Sequence, residues 1–376
     1  MDEISREILW NIPVFMKYAM YLSLMIATAI FVIGMQRKVS YIKGNGNLKS
    51  IIPAHLNWAA LAKTVFFQGK VPRDGYVAVF HSLIFYGFLI LWIATDLVAI
   101  HFDTPFHVFK GTTYIVVSFL ADIAGVAILL GIGLAYYRRY LLKPKYLSAS
   151  KPQQEKFMYA MLVWLVTVGY LLEGLRILGT GMPFDESWIS PIGWFIASVF
   201  QSLNFSETTL AYIYRALWGI HMLNTMAFLA SIPFTKFSHI FWGPISSLLT
   251  PYRRGAVLNP MDFSNENAEI FGLGKASDLT TKQRLDTLAC VECGRCTQVC
   301  PANLAEKPLD PKTIITKMRD KLFENSDGGL KIPTEFNIWE NAMYSNNELD
   351  SCTTCGACME ECPMSIEHVS LIMDLK

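Results

Sequence analysis

No cysteine occurs before position 290, so the first three-quarters of the chain has neither a disulfide nor a thiolate metal site. Charge of one sign is also lacking: 32 Lys and Arg face 31 Asp and Glu, which leaves no basic field to hold a nucleic acid. The first apolar run is preceded by no basic segment and no cleavage site, so it is expected to stay in the protein. No Gly-x-Gly-x-x-Gly follows a strand, and Gly272-Leu273-Gly274 is not such a motif. No flavin or nicotinamide site is therefore evident. There is no Cys-x-x-Cys-His either, so any haem is non-covalent and b-type.

Apolar residues are what the chain has in excess. They make up 52% of it, beyond the usual range for a soluble domain, and they concentrate before position 245. Five stretches reach the length of about 20 apolar residues that a bilayer crossing needs. They are Pro13–Gln36, Tyr76–Ile100, Thr112–Tyr136, Phe157–Leu178 and Leu210–Phe234. A shorter apolar piece, Ile192–Leu203, is expected to lie along the membrane surface.

The loops set the orientation. Arg37–Arg73 carries seven basic residues and no acid, and Arg138–Lys156 carries six against Glu155. Gly181–Glu207 carries Asp185, Glu186 and Glu207 with no Lys or Arg. The positive-inside rule puts the first two loops in the cytoplasm and the third outside. The N-terminus is then outside and the C-terminal part inside, with Lys236, Arg253 and Arg254 in agreement. The expected domains are a membrane domain over 1–245, a linker over 246–279 and a soluble domain over 280–376. Within the soluble part, Thr280–Leu288 and Lys312–Phe323 read as helices, and Gly328, Gly329 and Pro333 as breakers.

All eight cysteines fall in two copies of one pattern. The first is Cys290-x2-Cys293-x2-Cys296-x3-Cys300-Pro301, the second Cys352-x2-Cys355-x2-Cys358-x3-Cys362-Pro363. This run binds two [4Fe–4S] clusters, and the cysteine before proline ligates the other cluster of the pair. Cys290, Cys293, Cys296 and Cys362 are thus assigned to one cluster, and Cys352, Cys355, Cys358 and Cys300 to the second. The alternatives are zinc and disulfides. Structural zinc usually takes separated Cys-x2-Cys pairs, and cluster ligation leaves no cysteine for bridges. The cysteine usage implies a reducing compartment at this end.

Histidines in the spans allow three readings: haem ligand, hydrogen-bonded packing residue, or proton relay. His81 lies near the inner end of the second span. His221 and His239 are on the fifth span and its extension, 18 residues apart, or about 27 Å on a continuous helix. His81 and His239 then share a depth and are placed to clamp one haem iron. Two imidazoles leave no open position for O₂, which suits electron transfer.

Phe80-His81-Ser82-Leu83-Ile84-Phe85-Tyr86-Gly87-Phe88, and His221 through Ile232-Pro233-Phe234-Thr235-Lys236-Phe237-Ser238-His239, resemble the second and fifth spans of the respiratory nitrate reductase gamma subunit, a five-span dihaem b protein. That family places two histidines ten apart on the second span, whereas the position ten after His81 is Leu91. The resemblance implies His81 and His239 as ligands of an inner haem, and His221 as half of an outer site, with His101 the available partner. With the Cys runs added, the chain resembles the N-terminal part of membrane Fe–S oxidoreductases, such as electron-transfer-flavoprotein:menaquinone oxidoreductases and heterodisulfide-reductase-like proteins. The resemblance implies an all-α protein, a five-span bundle followed by a cytoplasmic ferredoxin-like domain, in a prokaryotic cytoplasmic membrane. It implies electron transfer between a soluble partner and menaquinone or another quinone, through two [4Fe–4S] clusters and one or two b haems. The partner it implies is an electron-transfer flavoprotein or an Fe–S subunit with Cys-Cys-Gly domains, which this sequence lacks.

Ionisable residues also fall in the outer halves of the spans: Asp96, Asp122, Glu173, Arg176 and Arg215. Glu173 and Arg176 are three apart and share a helix face. Buried ion pairs that fix helix packing are one reading, and arginines on haem propionates are another. The sharper expectation is a quinone site at which Glu173 and Asp122 relay protons.

Overall fold

The computed structural model describes residues 4–44, 56–148, 152–250, 258, 271–324, 335–339 and 343–376. The expected breakers, Arg253, Arg254 and most of the expected linker lie outside these residues. Among the described residues the chain is helical and forms no strand; Lys275 and Asn337 make one isolated bridge. Five helices are long and apolar enough to cross a membrane: Val14–Lys43, Gly75–Asp103, Gly111–Leu142, Pro152–Gly179 and Glu207–Phe234. They correspond to the five expected spans.

Two differences from the expected spans have physical causes. The first helix runs on to Lys43, because Tyr41 and Ile42 at its end are buried at 3% and 6% exposure in an apolar core. The fifth helix stops at Ser231 and passes through two 3-10 turns, Ile232–Phe234 and Lys236–Ser238, before a new helix starts at His239. Pro233 has no N–H to continue the ladder. The straight-helix separation of about 27 Å between His221 and His239 therefore does not apply.

The chain divides into two compact units. The first comprises Met1–Ile30, Asp74–Leu142 and Gln153–Ser231. Its second and third spans approach closely through glycine. A Cβ on Gly87 would stand 2.8 Å from Ile128 Cγ1, and one on Gly131 would stand 2.8 Å from the Phe80 carbonyl. Small residues at such contacts are how helices associate where lipid removes the hydrophobic drive. The helix Pro191–Ser202, expected to lie along the surface, buries Gly193 and Ala197 and turns Phe195 and Val199 outward. A Cβ on Gly174 of the fourth span would stand 2.5 Å from Ile196 of this helix.

The second unit comprises Phe31–Arg73, Lys143–Pro152 and Ile232–Lys376. Its core is built on Leu285, Ile314, Ile315, Met318, Leu322 and Ile372, all fully buried. The helix Thr281–Ala289 starts at a capping box in which Thr280 and Gln283 each accept the other's backbone N–H. It delivers the chain to Cys290. The helix Pro311–Glu324 covers the expected Lys312–Phe323 and buries one face. Residues 271–279, assigned to the linker by composition, pack here: Leu273, Ala276 and Leu279 are core residues.

Candidate functional site

The two cysteine runs repeat in backbone as well as in sequence. Glu292 and Thr354, each before the second cysteine, have φ of 58° and 55°. Gly294 and Gly356, each after it, have φ of 74° and 75°. A short helix carries the third cysteine in each run, and Cys300 and Cys362 follow at (−72°, 117°) and (−70°, 116°). Left-handed residues inside such turns direct successive N–H groups into one concavity, a cradle for an anionic group such as an Fe–S cluster.

The thiols fall into two sets by their influence on one another. Burial pushes the Cys296 thiol well above its ordinary value, and Cys293, Cys362 and Cys290 push it further. Cys362 is pushed up to about 12, by burial first and then by Cys293. Burial, Cys352, Cys300 and Cys355 together push Cys358 up to about 12. Cys300 is raised by burial and by Cys355 and Cys352. Cys362 thus joins the first run and Cys300 the second. Without iron the buried sulfurs hold protons, which metal binding must displace. Among the described residues no three His, Cys, Asp or Glu side chains converge on a single-ion site.

Glu292, between the first two cysteines, is only 1% exposed. Its two oxygens meet Lys236 Nζ at 3.0 Å and Arg319 Nη2 at 2.7 Å. Burial alone would raise its pKa; Lys236 and Arg319 outweigh burial and hold it at about 2. The Lys236 carbonyl in turn accepts a hydrogen bond from His239 Nδ1 at 2.5 Å. Glu292 and Arg319 were not singled out from the sequence, where Lys236 counted only as a charge. The signal available was that Glu292 lies inside the cysteine run.

His239 begins the helix His239–Leu248. Burial lowers its pKa, and with Nδ1–H on a carbonyl its Nε2 lone pair stays available. That is the arrangement of a metal-binding histidine, in which the other ring nitrogen is fixed by a hydrogen bond. His221, in the first unit, has a buried Nδ1 without a hydrogen-bond partner among the described residues, and a Cβ on Gly169 would stand 3.7 Å from its Cε1. An orphaned ring nitrogen beside a glycine fits a histidine that serves a cofactor. His81 stacks on Phe85 with ring centroids 6.3 Å apart.

His101 differs from these three. Its Nδ1 accepts the Phe109 backbone N–H at 2.9 Å. A neutral imidazole that accepts at Nδ1 carries its hydrogen on Nε2, so this ring offers no second lone pair to iron while that bond lasts.

The outer carboxylates form a network within the first unit. Arg176, 4% exposed, bridges Glu173 at 2.7 Å and Glu186 at 3.0 Å. Arg6 reaches the other Glu173 oxygen at 3.2 Å, and Tyr114 donates to Glu186 at 2.6 Å. Asp122 accepts the Ile192 and Gly193 amides at 2.8 and 3.3 Å, at the start of the helix Pro191–Ser202. A Cβ on Gly193 would meet Glu173 Cγ at 2.8 Å, which places Asp122 and Glu173 on either side of one glycine. Arg215 donates to the carbonyl and side chain of Asn11, and Asp96 is exposed. Arg6 was not legible in the sequence, because 167 residues separate it from Glu173.

Comparisons with known proteins agree with this organisation. Residues 81–255 match the nitrate reductase gamma subunit family, and residues 289–366 match the 4Fe-4S dicluster domain. A membrane domain like the nitrate reductase gamma subunit followed by an iron–sulfur domain defines the class that the chain resembles: the N-terminal part of membrane Fe–S oxidoreductases. Within that class it is 30% identical to the EtfAB:quinone oxidoreductase of Syntrophomonas wolfei, over 97% of this chain and 54% of that protein. It is 29% identical to the "Probable iron-sulfur-binding oxidoreductase FadF" of Bacillus subtilis, over 84% of this chain and 49% of that one. The chain spans about half the length of these two relatives. A shorter match, 34% identical over 25% of this chain and 24% of the relative, is to one subunit of the dihydromethanophenazine:CoB–CoM heterodisulfide reductase of Methanosarcina mazei. No solved structure matches.

Proposed function

We propose that the chain relays single electrons between a soluble redox partner and the membrane quinone pool. The observation that carries this reading is the sorting of eight thiols into two sets of four, on a chain that also has a gamma-type membrane domain. Cys290, Cys293, Cys296 and Cys362 would hold one [4Fe–4S] cluster, and Cys352, Cys355, Cys358 and Cys300 the other. His239 and His81 would hold an inner b haem. His221 would serve an outer haem, with His101 as second ligand once its ring releases the Phe109 amide. When bound, these groups supply one-electron chemistry, and the chain sets their ligation, spacing and burial. On this reading the Fe–S domain lies on the cytoplasmic face of a prokaryotic membrane, which the excess of Lys and Arg in the first two loops supports.

Glu173 and Asp122 are the groups proposed to pass protons to menaquinone or another quinone, with Arg176 and Arg215 near the same layer. Glu173→Gln is expected to slow quinone turnover and leave the haem spectrum unchanged; unaltered quinone kinetics would remove this role. The partner on this reading is an electron-transfer flavoprotein or an Fe–S subunit with Cys-Cys-Gly domains.

The match to the heterodisulfide reductase favours a second reading, in which the catalytic thiol–disulfide chemistry sits on another chain. Anaerobic purification from membranes, mass spectrometry of bound partners and a reduced-minus-oxidised spectrum separate the two. A flavoprotein partner and b-haem bands support the first reading, and a Cys-Cys-Gly subunit with disulfide reductase activity supports the second. Zinc in place of about eight non-haem irons would defeat both.

A further inference from the structure

The two cysteine runs match in backbone and differ in what covers them. In the first run a Cβ on Gly294 would stand 2.1 Å from the Tyr146 carbonyl, so the loop before the fourth span lies directly on it. Arg295 beside this glycine donates to the Lys70 carbonyl, and the stretch from Gly294 to Thr297 is buried. In the second run a Cβ on Gly356 would meet nothing within 4 Å among the described residues. Thr353, Thr354 and Cys355 are exposed there.

The neighbours of the helix His239–Leu248 show the same asymmetry. Lys236, whose carbonyl fixes the His239 ring, binds Glu292 in the first run. A Cβ on Gly243 of that helix would stand 2.7 Å from the sulfur of Met364, two residues after Cys362. Ser247 reaches Ser365 at 3.3 Å. Glu292 and Met364 flank ligands of one set, Cys290, Cys293 and Cys362. The Cys362 end of that set is therefore packed on the histidine helix, and the Cys290–Cys293 end on the turn that leads into it.

From these contacts we infer the order of the two cysteine sets. The set Cys290, Cys293, Cys296 and Cys362 is the one next to the haem at His239. The set Cys352, Cys355, Cys358 and Cys300 is terminal, and its loop Thr353–Gly356 is the port to a soluble one-electron carrier. A single electron crosses at that port, with no bond made or broken and no proton released by the chain. The inference rests on the electron-relay reading and adds to it an order and a surface.

The test uses the anaerobically purified full-length holoprotein and electron paramagnetic resonance of the reduced clusters. A water-soluble dysprosium chelate speeds relaxation of a cluster near the surface. Oxidised low-spin haem speeds relaxation of a cluster near His239. The expected result is two signals, one answering to the chelate and the other to the haem. Cys355→Ser is expected to alter the chelate-sensitive signal alone. If that variant fails to assemble, Gly356→Ala, which strains the same loop in open space, should shift the same signal. One signal answering to both agents, or a chelate-sensitive signal altered by Cys293→Ser and not by the second-run variants, would overturn the order. Absence of cluster signals or of haem would overturn the relay reading, and the order with it.

Discussion

Replacing Glu292 by glutamine should loosen the iron–sulfur domain by about 3 kcal/mol. The carboxylate is 1% exposed, and its partners Lys236 and Arg319 have side chains 9% and 13% exposed. Removing one member of such a buried set typically costs about 3–5 kcal/mol, because the remaining charges stay desolvated. Glutamine keeps one acceptor oxygen, which argues for the low end. At about 1.4 kcal/mol per tenfold, cluster loss under denaturant should speed up by about two orders of magnitude. The assay follows bleaching of the cluster absorption in urea under anaerobic conditions, with the exposed Glu306→Gln as a control expected to fall within about 0.5 kcal/mol of wild type. Adding Lys236→Met to Glu292→Gln should recover part of the loss, since one unmatched cation then leaves with its anion. A Glu292→Gln protein that bleaches at the wild-type rate would refute the claim that this ion cluster holds the first cysteine loop.

Other expectations follow from the same contacts. Gly356→Ala should cost about 1–2 kcal/mol for a left-handed alanine. Gly294→Ala must in addition displace the Tyr146 backbone, so iron content per chain should fall further in this variant. Arg176→Met leaves the buried Glu186 and the half-buried Glu173 without their shared cation, and Glu173 with Arg6 alone. It should destabilise the membrane unit by about 3–5 kcal/mol, read as earlier thermal aggregation in detergent. His368, 1% exposed, is held at about 4 by burial, with Lys282 and Lys70 opposing its protonation and Asp310 and the Ile366 carbonyl favouring it. The unfolded chain takes up this proton below the ordinary value of 6.5, whereas the fold takes it up only near 4. The stabilisation is therefore complete above 6.5 and is lost as pH falls to 4, about 3 kcal/mol in all. His368→Leu should flatten that limb of a urea-midpoint profile against pH.

The elements legible in the sequence share one property: they are local. Span length, loop charge and the spacing of eight cysteines each need only a window of residues. The crossed assignment of Cys300 and Cys362 is likewise an expectation of the motif alone. What stayed hidden depends on distant pairs. Nothing near Glu173 announces Arg6, and nothing near Cys290 announces Lys236. The burial of Leu273 and Ala276 was missed because their surroundings are polar in composition. The break at Pro233 was visible as a residue but was read as part of a continuous helix. The Phe109 amide that engages His101 arrives from a turn whose path no periodicity describes.

Tyr41, Ile42 and Trp242 share one core with Ile314 and Met318, and Tyr41 stacks on Phe323 at 5.0 Å. The end of the first span and the helix after the fifth are thus structural members of the cluster domain. A fragment cut at the composition boundary near residue 280 would lose these members and bare an apolar face. Expressed alone, it should aggregate or cling to lipid, unlike a free ferredoxin.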